Sequence, residues 1–179
     1  MAPNEGAAML FVRDFPDEAM MLDISRRFSG LDPRVVRACL ALGLTSRDMR
    51  ESFERFLGRF GLSNGRFLTL MVMYRTPDQA VQPSALAHGV GVTRATMTGL
   101  LDGLERDGLV FRADDAEDRR KKLVRLTPQG IKLLERVAPE HCRRTTRFAD
   151  CLGPEEWVTL SALLARLQTG IETFDQPEE

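Results

Sequence analysis

Apolar positions along the chain recur mostly at helical spacing, and only one short stretch alternates. Pro16, Asp17 and Glu18 suit a first helical turn, with proline at the first position and carboxylates at the positive end of the dipole. That helix should run to about Phe28 and stop at Gly30. Asp32-Pro33 repeats the start signal, and Val35, Val36, Cys39, Leu42, Met49, Phe53, Phe56, Leu57 and Phe60 follow at roughly helical intervals. Gly43 is placed to bend this segment and Gly61 to end it. Ser63 opens another helix whose run over residues 67–74 is nearly continuously apolar, the pattern of a core helix buried on all sides. Thr76-Pro77-Asp78 marks a turn, Pro83 starts a short helix to about His88, and Gly89-Val90-Gly91 marks a tight turn. A longer helix spans residues 93–107 and is closed by Gly108. Residues 109–113 and 123–126 alternate around a charged connector at 114–122 and predict a hairpin. Thr127-Pro128 caps a helix of roughly 24 residues. Gly153-Pro154-Glu155-Glu156 begins the last helix, which ends near Phe174 and leaves a frayed tail at 176–179.

A short helix, a turn, a longer helix and then directly a hairpin is the order of a winged helix-turn-helix. The expected fold is therefore mainly α with a small β-hairpin wing. Residues 1–31 form an N-terminal extension with one extra helix. Residues 63–127 then hold the winged unit, and residues 32–62 and 128–175 the flanking helices; the resemblance described below implies that these are the DNA-binding region and a helical dimerisation region. Leu160, Leu163, Leu164 and Leu167 draw an apolar stripe along the last helix, which fits either a dimer contact or a core face.

Composition changes this picture little. With 179 residues, 43% of them hydrophobic, the chain can bury a sizeable core. The 25 Lys and Arg against 26 Asp and Glu leave a net charge of -1, so a nucleic-acid reading must rest on where the charges sit. Cys39, Cys142 and Cys151 form no pairing motif and suggest no disulfide framework. The apolar run at residues 7–12 is too short for a signal core, and nothing approaches the roughly 20 apolar residues of a membrane span. A cytoplasmic protein without membrane association is expected.

Charge placement is more informative. Thr93, Arg94, Thr96 and Thr98 occupy the first turns of the longer helix, the end that enters a major groove. Threonine hydroxyls bond base edges or phosphates, and arginine pairs bidentately with guanine. Met97, Leu100, Leu101 and Leu104 give the same helix an apolar face for the core. In the connector, Arg119, Arg120, Lys121, Lys122 and Arg125 lie within seven residues that contain no acid. Hairpin alternation would carry Arg119, Lys121 and Arg120 towards phosphates or a minor groove, whose negative potential attracts arginine. Asp118, two residues before Arg120, is placed to hold that guanidinium by a hydrogen bond.

Residues 118–130, DRRKKLVRLTPQG, resemble the wing signature of the MarR family of transcription regulators: Asp-x-Arg, an apolar strand, then Leu-Thr-x-x-Gly. Leu86-Ala87 and the run from Thr93 to Val110 are similar to that family's paired helices, and Leu152-Gly153-Pro154-Glu155-Glu156-Trp157 resembles the start of its last helix. The resemblance covers roughly residues 34–171. It implies a homodimer built from the first and last helices, with recognition helices in the major groove of double-stranded DNA and Arg120 in the flanking minor groove. A pseudo-palindromic operator follows from twofold symmetry. The resemblance further implies a repressor released by a small aromatic or phenolic acid. The helix before Asp32 is similar to the extension of the family's urate-responsive branch, but Phe28 and Leu68 stand where that branch carries a Trp and an Asp. Gly103 stands where many relatives carry a basic residue, and close packing is the expected reason for Gly99 and Gly103.

The effector contacts are not readable. Arg26, Arg27, Arg66 and Arg75 are candidates to meet a carboxylate and are expected to be surface charges. His141-Cys142-Arg143-Arg144 sets cations beside a thiol, which makes Cys142 a candidate redox switch, while Cys39 and Cys151 are expected among apolar neighbours. No cofactor or metal is expected, because His88 and His141 are far apart and no C-x-x-C or H-E-x-x-H spacing occurs. Gly89-x-Gly91 lacks a third glycine and follows a helix, and there is no phosphate loop or nucleophile elbow, so enzymatic readings fail. A winged helix that docks a protein is the competing class, and the cationic wing argues against it.

Overall fold

A computed structural model describes residues 26–27, 32–114 and 122–174. Arg26 and Arg27 are helical; the rest of the helix expected at residues 16–28 lies outside the described residues. Six helices and a hairpin follow: α1 (Pro33–Gly58), α2 (Asn64–Tyr74), α3 (Pro83–Val90), α4 (Arg94–Arg106), β1 (Val110–Asp114), β2 (Lys122–Leu126), α5 (Pro128–Ala149) and α6 (Pro154–Phe174).

Helix starts agree closely with the capping chemistry. The carboxylate of Asp32, the hydroxyls of Ser63, Thr93 and Thr127, each accept a backbone N–H from the first turn of α1, α2, α4 and α5 respectively. Stops differ in detail. Gly43 does not interrupt α1, which runs unbroken to Gly58; the chain reverses only at Gly61, with φ of 69°. Gly89 and Val90 belong to α3, and Gly91 alone, left-handed at φ of 75°, makes the turn.

β1 and β2 pair antiparallel, from Val110 opposite Leu126 to Asp114 opposite Lys122. Val81, in the connection before α3, adds a bridge to Val124 through two hydrogen bonds of 2.9 Å. The hairpin is thereby pinned on both sides of β2. The hydrophobic core runs from Phe56 to Val137, and Leu57, Leu70, Leu86, Met97, Leu104, Val124 and Leu134 are fully buried within it. Helix α2 is central but not enclosed on all sides as its apolar run predicted. Phe67, Leu70 and Met73 are buried, while Leu68 is exposed, because neighbouring elements leave one face of the helix uncovered. Its Thr69 is fully buried and satisfied locally by donating to the Gly65 carbonyl at 2.8 Å.

Among the described side chains, helix α6 contributes none to this core. Leu163, Leu164 and Leu167 of its stripe are exposed, as are Val158 and Ile171, and Leu160 is only partly covered. Trp157 anchors its first turn by donating from Nε1 to the Ala149 carbonyl at 2.8 Å and by packing on Phe148. A core role for the stripe is thereby removed.

Candidate nucleic-acid interface

The four polar residues predicted for the start of α4 are all exposed on its first turns. Thr93 is the N-cap; its Oγ1 accepts from the Thr96 backbone N–H at 3.1 Å and lies 2.9 Å from the Thr96 hydroxyl. The Thr98 hydroxyl donates back to the Arg94 carbonyl at 3.0 Å. The hydroxyls are thus pre-oriented by the helix itself, while the Arg94 side chain has no ion-pair partner among the described residues. Met97, Leu101 and Leu104 on the opposite face are buried, which fixes the exposed face outwards.

The wing is described only at its base. Asp118, Arg119, Arg120 and Lys121 lie outside the described residues. Lys122, the remaining wing cation in the proposed contact set, is exposed and forms an ion pair with Asp114 across the hairpin. Arg125 turns away from the tip and donates to the Asp78 carbonyl at 2.8 Å, so it braces the wing against the turn before α3.

Sequence reasoning missed Arg112. From β1 its guanidinium reaches both Asp102 and Glu105 on α4, and its backbone N–H donates to the Glu105 carboxylate at 3.0 Å. The hydrogen bond to Asp102 raises its pKa further above the usual arginine value, so the charge is permanent. This clamp ties β1 to α4. The signal was present, because Asp102 and Glu105 lie three apart on one helix face, but only the fold shows that a strand cation meets them.

The Leu-Thr-x-x-Gly motif proves to be a joint. Thr127 Oγ1 accepts from the Gly130 N–H at 3.0 Å and donates to the Gly108 carbonyl at 2.7 Å, and the Thr127 N–H donates to the Leu109 carbonyl at 3.1 Å. A Cβ on Gly130 would stand well inside contact distance of the Leu109 carbonyl oxygen. Only glycine lets α5 start that close to the strand leaving α4.

Several other expectations need correction. Arg66 is not a surface charge: its side chain is largely buried and pairs with Asp107 while donating to the Gly61 and Gly103 carbonyls. Close packing does not account for Gly99, since a Cβ there meets nothing within 4 Å; at Gly103 the nearest atom, Arg66 Nε, is 3.9 Å away. The three thiols are all exposed, Cys39 and Cys151 included, because α1 and the end of α5 present those faces to solvent. Beside Cys142, two of the three expected cations, His141 and Arg144, are engaged elsewhere. His141 packs its ring 4.9–6.2 Å from those of Phe53, Phe56 and Phe67, and this burial lowers its pKa below the ordinary imidazole value, so it is neutral near pH 7. Arg144 pairs with Glu140 and stacks 4.6 Å from the Phe56 ring. Among the described residues, no group of three His, Cys, Asp or Glu side chains is placed to hold a metal, and no helix is long and apolar enough to cross a membrane.

A helix-turn-helix rigidly coupled to a hairpin, with its polar helix start exposed, is the arrangement of a winged-helix transcription regulator. A family model described as the MarR family matches residues 60–121. The transcriptional repressor YetL of Bacillus subtilis is 32% identical over 163 residues, covering 91% of this chain and 98% of that protein. The transcriptional regulator PecS of Dickeya dadantii is 28% identical over 137 residues, covering 74% and 82%. Among solved structures, the MepR–DNA complex of S. aureus superimposes with a TM-score of 0.68 at 27% identity, covering 73% of this chain and 95% of that one. The protein belongs to the MarR family, and its relatives are transcription regulators, not enzymes.

Proposed function

We propose that the protein is a cytoplasmic, homodimeric repressor that binds a pseudo-palindromic operator and is released by a small aromatic or phenolic acid. The observation that carries the reading is the exposed start of α4, with Thr93, Arg94, Thr96 and Thr98 all open to solvent, tied to β1 through Arg112. In this reading α4 reads the major groove, and Arg119, Arg120, Lys121 and Lys122 follow the adjacent backbone and minor groove, with Asp118 orienting Arg120. Residues 63–127 then form the DNA-binding region, and residues 32–62 and 128–175 the dimer scaffold. The exposed apolar residues Val35 and Leu42 on α1 and Leu163, Leu164 and Leu167 on α6 support a second copy as their cover. YetL being a repressor and MepR having been captured on DNA support the same reading.

An effector fits the cleft of about 670 Å³ between α1 and α5. Met49, Phe53, Phe56 and Phe148 give it aromatic and apolar walls, and Arg147 supplies a cation for a carboxylate beside Arg144, which Glu140 holds.

Fluorescence anisotropy against DNA upstream of its own gene, with unrelated DNA as competitor at about 150 mM salt, tests the reading. A preference of at least roughly a thousandfold, with half-sites about one helical turn apart, is expected. Equal, weak binding to every DNA tested, genomic fragments included, would leave the fold to the protein-docking alternative.

A further inference from the structure

On the side of the lobe formed by the loop after α1, the turn after α4 and the first turns of α5 lies a second cleft, of about 400 Å³. It shares no lining residue with the cleft between α1 and α5. Phe60, Leu109 and Leu133 give it apolar walls, and Gln129, Lys132 and Arg136 line its α5 side.

The charge pattern there is one-sided. Lys132 and Arg136 are four residues apart, so both side chains leave α5 on the same face. Among the described residues neither has a carboxylate partner, although Arg136 stacks 5.5 Å from the Phe60 ring. The one acid in the lining, Asp107, is already neutralised by Arg66. Two uncompensated cations therefore face a cavity whose remaining wall is aromatic and aliphatic. Surface cations are ordinarily solvated, yet a cation pair beside an aromatic wall in a concave site favours an anion that carries an apolar body. Phosphate oxygens and carboxylate oxygens would be met alike, with Arg136 able to engage either in bidentate fashion.

We propose that this cleft binds a small organic anion, a carboxylate or phosphate ester bearing an aromatic or short aliphatic body. The apolar body lies on Phe60 and Leu133, and the anionic head bridges Lys132 and Arg136. The occupant touches the ends of α1 and α4 and the start of α5 together, the elements that Arg66 and Thr127 otherwise join. It is distinct from an effector in the cleft between α1 and α5.

Calorimetric titration of the full chain with benzoate, phenyl phosphate and inorganic phosphate tests this. Saturable binding of one or both aryl anions is expected, with benzoate and phenyl phosphate reporting which head the site prefers and inorganic phosphate binding more weakly than either. Lys132→Ala and Arg136→Ala should each weaken the aryl anion about tenfold. Both residues are exposed, so unchanged melting of the free variants will show that the fold is intact. Arg144→Ala/Arg147→Ala, in the other cleft, should leave this binding unchanged. The proposal fails if no probe saturates below about 10 mM, if the Lys132→Ala/Arg136→Ala variant binds as the parent does, or if only Arg144→Ala/Arg147→Ala removes binding.

Discussion

The winged lobe and the helical scaffold differ in how they dispose of apolar surface. Between Phe56 and Val137 the chain encloses its large side chains almost completely, using three helices, a hairpin and the start of α5. Helix α6 and the first three-quarters of α1 bury none of theirs: Val35, Leu42, Leu163, Leu167 and Ile171 are all exposed. Both regions carry apolar residues at helical spacing. The lobe completes its core within one chain, whereas the scaffold presents the same kind of surface for something else to cover. Exposed apolar residues gathered along a helix in this way mark an interaction site.

The sharpest way to break this contrast is a pair of truncations. Leu104→Ala, at a fully buried lobe position, should cost about 2–5 kcal/mol in urea unfolding, independent of protein concentration. Leu167→Ala on α6 should leave lobe stability nearly unchanged and instead shift the midpoint of dissociation in sedimentation equilibrium. If both variants lost stability equally and without concentration dependence, α6 would belong to the core after all.

Within the lobe, operator affinity should divide between two kinds of residue. Arg120→Ala should weaken specific binding by about 1–3 kcal/mol, and Lys121→Ala should lower affinity for all sequences alike and flatten the salt dependence by about one unit. Normal binding by Arg120→Ala would remove the wing assignment. Arg112→Ala, which touches no DNA in the proposed complex, should reduce operator affinity by about 1–2 kcal/mol through a loosened wing. An anisotropy titration that shows no change would mean that the hairpin pairing alone holds the angle.

The seam between the two regions should respond to pH. His141 of α5 packs on Phe53 and Phe56 of α1 and Phe67 of α2, and burial alone depresses its pKa below 6.5. The unfolded chain therefore takes up the proton first. Stability is fully present above about pH 6.5 and falls as pH drops from there through the lower folded value. Burial is the cause of the depression, and no charged neighbour adds to it. Thermal melts of His141→Gln between pH 5 and 7 should lose that slope; an unchanged slope would place the titrating group elsewhere. The smallest effect is expected at Gly99, where a Cβ meets open space. Gly99→Ala should raise the melting temperature slightly, by about 0.5–1 kcal/mol in stability, since a helical glycine costs entropy and nothing here repays it. A loss of stability would reveal a contact at that face.

Much of this architecture was legible from the chain. Caps at Asp32, Ser63, Thr93 and Thr127 mark four helix starts because capping is a contact between residues three apart at most. The hairpin follows from local alternation, and the exposed polar start of α4 follows from helical period. Local chemistry reads directly because its partners are close in sequence.

What the sequence could not decide was which equivalent side chains meet across the fold. Arg66, Arg112 and Arg125 look like any surface arginine, yet the fold sends them to Asp107, to Asp102 with Glu105, and to the Asp78 carbonyl. The stripe on α6 reads the same whether covered by its own chain or left bare, and tertiary packing leaves it bare. Gly130 and Gly99 are one residue type with opposite meanings: a strand carbonyl crowds the first and solvent surrounds the second. Helical period and capping are properties of neighbouring residues, which the sequence alone specifies. Charge pairing, exposure of an apolar face and the need for a missing Cβ depend on what arrives from far along the chain, and only the tertiary structure decides that.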